Sequence, residues 1–201
     1  MTTPSEKKKP DGRRLRSAES RRRIVEAMRK LIREGIVAPR AEEVAARAEV
    51  GLRSVFRHFD DMESLYREIA DAILAEVEPM LELPEPSGAL PDLLSEMIAR
   101  RTRLFERIMP FRSAADVHLH RSPFLVEDRR RMNEMLRNAM RTTLPASLRK
   151  DRALFDALDA VLSFEFWRRL RQDGQLSATQ ARRIVERTAF SLTDTMPTRK
   201  N

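Results

Sequence analysis

The 201-residue chain contains no cysteine. Disulfides, thiolate nucleophiles and cysteine-based metal sites are therefore excluded, and a cytoplasmic setting is the expectation. Glycine is scarce at 5 residues, and no glycine-rich phosphate cradle is present. No apolar run approaches the roughly 20 residues needed to cross a bilayer, so no membrane segment is expected. The basic N-terminus has no hydrophobic stretch after it, and no secretory signal is expected. No segment alternates apolar and polar residues as a strand does, and there is no internal repeat. Histidine numbers 3, and no Ser-His-Asp arrangement is visible, so neither catalysis nor a cofactor is expected. His118 and His120 are two residues apart. On a helix that spacing sends the rings to different faces, and no further ligand completes a site, so no metal is expected.

What is abundant is charge. Asp, Glu, Lys and Arg make up 35 % of the chain, with 39 basic against 31 acidic side chains and a formal net charge of +8. Residues 1 to 59 hold 16 basic and 8 acidic residues, and the remaining 142 hold 23 of each. All of the excess therefore sits in the first third, as expected of a polyanion-binding segment attached to a neutral body. Hydrophobic residues at 41 % suffice for a core. Together with the scarcity of glycine they point to a highly helical protein.

Apolar periodicity of about 3.6 predicts helices throughout. The first is expected over 17 to 34, with Ile24, Met28, Leu31 and Ile32 buried, Arg21, Arg22 and Arg23 on its first turns, and Gly35 as its stop. A second is expected over 38 to 48 with Pro39 in its first turn, and a third over 52 to 59. Asp60 and Asp61 provide the cap of a fourth, roughly 61 to 80. The stretch Leu83 to Pro91 reads as a loop. Further helices are expected over 91 to 108, broken by Pro110, then 111 to 120, and 123 to 143. The last two cover 151 to 173, stopped by Gly174, and 177 to 196, capped by Ser177. The paired carboxylates Asp60-Asp61 and Glu127-Asp128 sit at helix starts, where the helix dipole accounts for them. Residues 1 to 16 read as a disordered basic arm carrying Lys7, Lys8, Lys9, Arg13, Arg14 and Arg16. It either tracks a DNA backbone or is a plain solubilising tail.

The most informative segment is Val44 to Phe59, VAARAEVGLRSVFRHF. It reads as the end of one short helix, a tight turn at Val50-Gly51 and a second short helix. Val55 and Phe59, four apart, turn inward. Arg53, Ser54, Phe56, Arg57 and His58 are left outside, and a short helix presenting such residues fits a DNA major groove. These residues, with Asp60-Asp61-Met62-Glu63-Ser64-Leu65 after them, resemble the tetracycline-repressor (TetR) family of transcription regulators. The order of a broad apolar helix, a Gly and a Ser-capped last helix is also similar.

That resemblance implies an all-α fold: an N-terminal three-helix helix-turn-helix domain over 17–62, and a larger helical effector-binding and dimerisation domain over 63–201. It implies double-stranded operator DNA as partner, contacted by Arg40, Leu52, Arg53, Ser54, Phe56, Arg57 and His58. Four positions depart from the family pattern. Glu49 stands for a turn glycine, so the left-handed residue is either Glu49 itself or Gly51. Phe56 stands for Tyr, Met62 for Lys and Arg40 for Thr, which shifts expected phosphate contacts onto Arg40, Ser54, His58 and the arm. The resemblance further implies a homodimer through the last two helices, at Leu158, Leu162, Phe166, Val185, Ala189 and Leu192. It also implies a pocket for a small apolar or aromatic effector. Met97, Phe105, Met109, Phe111, Phe124, Met132 and Met135 are its candidates, although core packing is the ordinary role of such residues. A competing reading is a dimeric small-molecule carrier or enzyme whose basic N-terminus binds polyanions without sequence preference.

Overall fold

In the computed structural model, residues 12–81 and 88–194 are described, the side chains of residues 81 and 194 excepted. Among them there is no strand, and the chain forms two compact units, residues 1–69 and 70–201. The expectations for residues 1–11, for 83–87 of the loop and for the end of the last helix at Met196 lie outside the described residues. No helix among the described residues is long and apolar enough to cross a membrane.

The first unit contains α1 (Gly12–Arg33), α2 (Ala41–Arg47), α3 (Leu52–His58) and the start of α4 (Met62–Leu81). The helix α1 begins earlier than expected, so the last residues of the supposed arm, Gly12 to Arg16, are helical. Arginine and leucine there are good helix formers, and Ser20 ties back to the Arg16 carbonyl at 2.9 Å. Ile24, Met28, Leu31 and Ile32 of α1, Val44 and Ala45 of α2 and Val55 of α3 are all buried, and the three helices pack on one another. Burying a side chain of this kind contributes roughly 1.5–3 kcal/mol. Pro39 lies before α2 rather than in its first turn. Arg40 is the N-cap, and its amide donates to the Glu43 carboxylate at 2.7 Å. Asp61 caps α4 by accepting from the Ser64 amide at 2.7 Å.

Two helix ends in this unit close in the same way. After α1, the Gly35 amide donates to the Ile32 carbonyl and the Ile36 amide to that of Leu31. After α2, the Glu49 amide donates to Ala46 and the Val50 amide to Ala45. Both are Schellman closures, which need a left-handed residue at the same place. Gly35 takes φ +93 and Glu49 takes φ +54. Gly51 keeps φ −69 as the N-cap of α3, so Glu49 itself carries the turn.

The second unit is organised around α5 (Leu90–Asp116), against which α6 (Pro123–Thr143), α9 (Phe164–Arg168) and α10 (Ala178–Asp194) pack. Two short helices, α7 (Ala146–Lys150) and α8 (Arg152–Val161), complete it. Pro110 does not break α5. The helix runs through it because Phe111, Arg112 and Ala114 are buried beyond it, as Leu104, Phe105 and Ile108 are before it. That tertiary burial offsets the hydrogen bond a helical proline forfeits. The helix expected over 111 to 120 is consequently the end of α5 followed by a 3-10 turn, Leu119–Arg121.

The helix expected over 151 to 173 is interrupted. Asp151 caps α8, which stops at Leu162, and Ser163 starts α9 by accepting from the Phe166 amide at 3.1 Å. A π-helical turn, Arg169–Asp173, follows and ends at Gly174. Buried Arg101 of α5 fixes the interruption, donating to the Leu162 carbonyl at 2.7 Å and the Leu136 carbonyl at 2.6 Å. The carbonyls at a helix C-terminus lack partners within the helix and carry the negative end of its dipole, so a guanidinium is favoured there.

Candidate nucleic-acid interface

The helix α3 is only seven residues long and depends on its setting. Isolated helices of that length do not form in water. Val55, 1 % exposed, and Phe59, 2 % exposed, anchor it. Its free side then carries Leu52 at 38 % exposure and Phe56 at 49 %, with Arg53 and Arg57 exposed between them. Ser54 and His58 are half-buried. Arg57 Nη2 lies 3.3 Å from Ser54 Oγ, and exposed Arg53 has no ion pair with any described residue. Six of the seven expected contact residues therefore share one short helix, and the seventh, exposed Arg40, sits at the start of α2.

Arg21, on α1, was legible only as one of three consecutive arginines. It braces the end of α3: its Nη1 donates to the His58 carbonyl at 2.6 Å, its guanidinium lies 4.4 Å from the centre of the Phe59 ring, and it pairs with Glu68. A second clamp joins α2 to the end of α1, where Arg47 meets Glu34 in a two-pronged pair with both contacts at 2.6 Å. Such forked geometry fixes orientation as well as distance. His58 Nε2 is buried and no protein group bonds to it. Burial first, then the charges of Arg57 and Arg21, holds this imidazole below its ordinary pKa. It is therefore neutral at neutral pH.

The second unit holds the expected effector and dimer residues. Met97, Phe105, Phe111 and Met132 are buried, whereas Met109, Phe124 and Met135 are half-buried. Met97 borders a void of about 20 Å³ and Phe105 a separate one of about 10 Å³, each no larger than a water molecule needs. None of the other five lines either of these two voids. A larger hollow, about 540 Å³, lies among α5, α9 and α10, where Arg103, Glu106, Arg182, Arg183 and Glu186 stand beside Trp167 and Ala178. Glu106 accepts from Trp167 Nε1 at 2.9 Å and from Arg171 Nε at 2.7 Å. The hydrogen bond from Arg171 is the main reason its carboxyl sits below the usual range.

Of the expected dimer residues, Leu158, Leu162, Val185 and Ala189 are all buried within a single chain. They belong to its own core, because α8 and α10 pack on each other. Phe166 and Leu192 are half-buried, and Ile184 on α10 is 38 % exposed. Among the described residues no group of three His, Asp or Glu is placed to hold a metal ion.

No protein-family model matches the sequence, and no curated protein matches it. Solved structures do match in fold. One is a Mesorhizobium loti protein assigned to the TetR-family transcriptional regulators, with a TM-score of 0.61 and 17 % identity over 89 % of this chain and 97 % of that one. Another is the multidrug-binding protein EbrR in complex with imidazole, with a TM-score of 0.55 and 22 % identity over 93 % of this chain and 97 % of that one. The chain thus has the all-α fold of TetR-family regulators, a helix-turn-helix unit followed by a helical unit.

Proposed function

We propose that the protein is a ligand-responsive transcriptional regulator that binds a palindromic operator as a homodimer and acts as a repressor. The observation that carries this reading is the free face of α3. A seven-residue helix held at Val55, Phe59 and the Arg21 brace leaves Leu52, Arg53, Phe56 and Arg57 together on the outside, in the part of the chain that holds all the excess positive charge. Two arginines beside two apolar side chains can read guanine edges and thymine methyls in a major groove. Arg40, Ser54 and His58 are assigned to phosphates. The domain assignment follows: residues 17–62 for DNA, and 63–201 for effector and dimer, the dimer forming over the open parts of α9 and α10 at Phe166, Ile184 and Leu192. Both structural neighbours are described as regulators or drug binders, which supports a regulator over an enzyme. A small effector bound in the second unit shifts the population toward a dimer whose recognition helices no longer match successive major grooves.

The test is selection of binding sites from a random duplex pool. Enrichment of one inverted repeat is the expected result. Retention of all sequences alike would return the protein to the carrier-or-enzyme reading.

A further inference from the structure

Three helices of the second unit bring three guanidinium groups together: Arg112 from α5, Arg129 from α6 and Arg168 from α9. Asp116, at the end of α5, bridges two of them. One of its oxygens pairs with Arg129, and the other accepts from Arg168 Nη1 at 2.7 Å. Arg112 is served less well. Glu165 approaches its Nη2 only to 3.5 Å, the outer limit of a hydrogen bond, and is itself 44 % exposed.

Two donors in this cluster have no protein acceptor. Nε of Arg112 and Nε of Arg129 are both buried and unpaired, and Arg112 as a whole is 9 % exposed. An unmade hydrogen bond on a buried donor costs about 1–3 kcal/mol, and more on a charged group. Buried donors without partners are rare in folded proteins, and here two lie in one cluster. Charge does not balance either. Three guanidiniums face Asp116 and Glu165, and nearby Asp128 is taken by Arg131 at 2.8 Å. Burial first, with the neighbouring guanidinium charges, pushes both Arg112 and Arg129 below the ordinary arginine range.

We propose that Arg112, Arg129 and Arg168 form a recognition site for the carboxylate of a small organic acid. The Nε–H and an Nη–H of arginine form an edge matched to the two oxygens of a carboxylate, and the Nε donors are the ones left over. One surplus positive charge fits a monoanion and not a phosphate dianion. The flank is aromatic: the Arg112 guanidinium lies 5.0 Å from the Phe164 ring centre, and Phe105 meets Phe164 edge-on at 5.7 Å. An acid with an apolar or aromatic body suits that flank. The inference rests on the effector reading above and narrows it to a class of ligand.

The experiment is calorimetric titration of the full chain without DNA, with benzoate and octanoate as probes and inorganic phosphate as comparison. At least one probe should bind saturably, at least tenfold more tightly than phosphate. Arg129→Gln and Arg168→Gln, both at partly exposed positions, should each weaken it at least tenfold while circular dichroism stays unchanged. Arg129→Lys, which keeps the charge but loses the forked edge, should weaken it as well. No saturable binding of either probe to the native chain would overturn the proposal. Equal affinity in both Gln variants, or tighter binding of phosphate, would do the same. A probe that binds in this way yet leaves DNA affinity unchanged would support the site and sink only the effector reading.

Discussion

The Arg21 guanidinium donates to the His58 carbonyl oxygen at 2.6 Å, linking the first helix to the last residue of α3 across 37 positions of chain. That carbonyl lies at a helix C-terminus, where no intrahelical donor is available. The same side chain covers the Phe59 ring, whose burial sets the angle of α3. Arg21→Ala should therefore destabilise the first unit by about 1–2 kcal/mol, a hydrogen bond from a charged donor plus a partly exposed cation–π contact. DNA affinity should fall more than stability does, because α3 loses its fixed direction. Thermal unfolding and fluorescence anisotropy on one preparation check both. Full DNA affinity in the variant would show that the brace is dispensable.

Gly35 and Glu49 occupy the same position in the same turn, and only one of them suits it. A side chain in the left-handed region costs roughly 1–2 kcal/mol, against which glycine's extra freedom when unfolded returns about 0.5–1 kcal/mol. Glu49→Gly should stabilise the protein by roughly 0.5–1 kcal/mol, read as a higher urea midpoint. Gly35→Ala should lower the midpoint, although open space surrounds the added methyl, because the strain lies in the backbone.

These local rules explain which parts of the fold were legible in the sequence. Asp61 and Ser177 act within three residues of themselves, and each receives an amide as its residue type predicts. Pro110 misled because its effect on α5 is outweighed by packing of residues far away in sequence. The α8–α9 break was hidden for a related reason, since the group that holds it, Arg101, lies 61 residues from Leu162. The helix-turn-helix face could be read from Val55 and Phe59, because its logic is a spacing of four. The Arg112–Arg129–Arg168 cluster could not, because each arginine alone looks like a solvated helix residue.

Arg101 itself is 5 % exposed and donates only to backbone carbonyls. Burial pushes its pKa down to about 10, with Asp159 opposing, so it stays charged at neutral pH. Arg101→Ala should cost about 2–4 kcal/mol, from charged-donor hydrogen bonds and a cavity. Arg101→Met, which refills the volume and removes the cost of burying a charge, should lose less. Urea unfolding of both variants decides the order. A larger loss in the Met variant would mean that leaving the two carbonyls dry and without donors costs more than the cavity of the Ala variant.

Stability should decline in mild acid. Burial holds His58 and His118 below the ordinary imidazole range, with neighbouring cationic side chains adding to it. A group that binds its proton more weakly folded than unfolded contributes stability present in full above its unfolded pKa, near 6.5 for histidine, and lost as pH falls through that value toward its folded pKa. The melting temperature should drop between about pH 7.5 and 5.5, a window above carboxylate titration. His58→Gln should show a shallower drop, and an unchanged slope would remove His58 from the account.

Arg53 and Arg40 separate reading from anchoring. Arg53 stands on the free face of α3 beside Phe56 and has no ion pair with any described residue, whereas Arg40 sits at the start of α2, outside that helix. Arg53→Ala should cost about 1–3 kcal/mol on the selected operator and little on random duplex, because a bidentate contact to a guanine edge exists only on the right sequence. Arg40→Ala should weaken both DNAs alike. If each subunit of a dimer neutralises one phosphate through Arg40, its loss should also flatten the log–log salt slope by about two. Anisotropy titrations of the two variants on both duplexes at several salt concentrations give all four numbers. Should Arg53→Ala lower affinity equally on operator and random DNA, Arg53 meets only the backbone, and the sequence preference would have to reside in Leu52, Phe56 and Arg57.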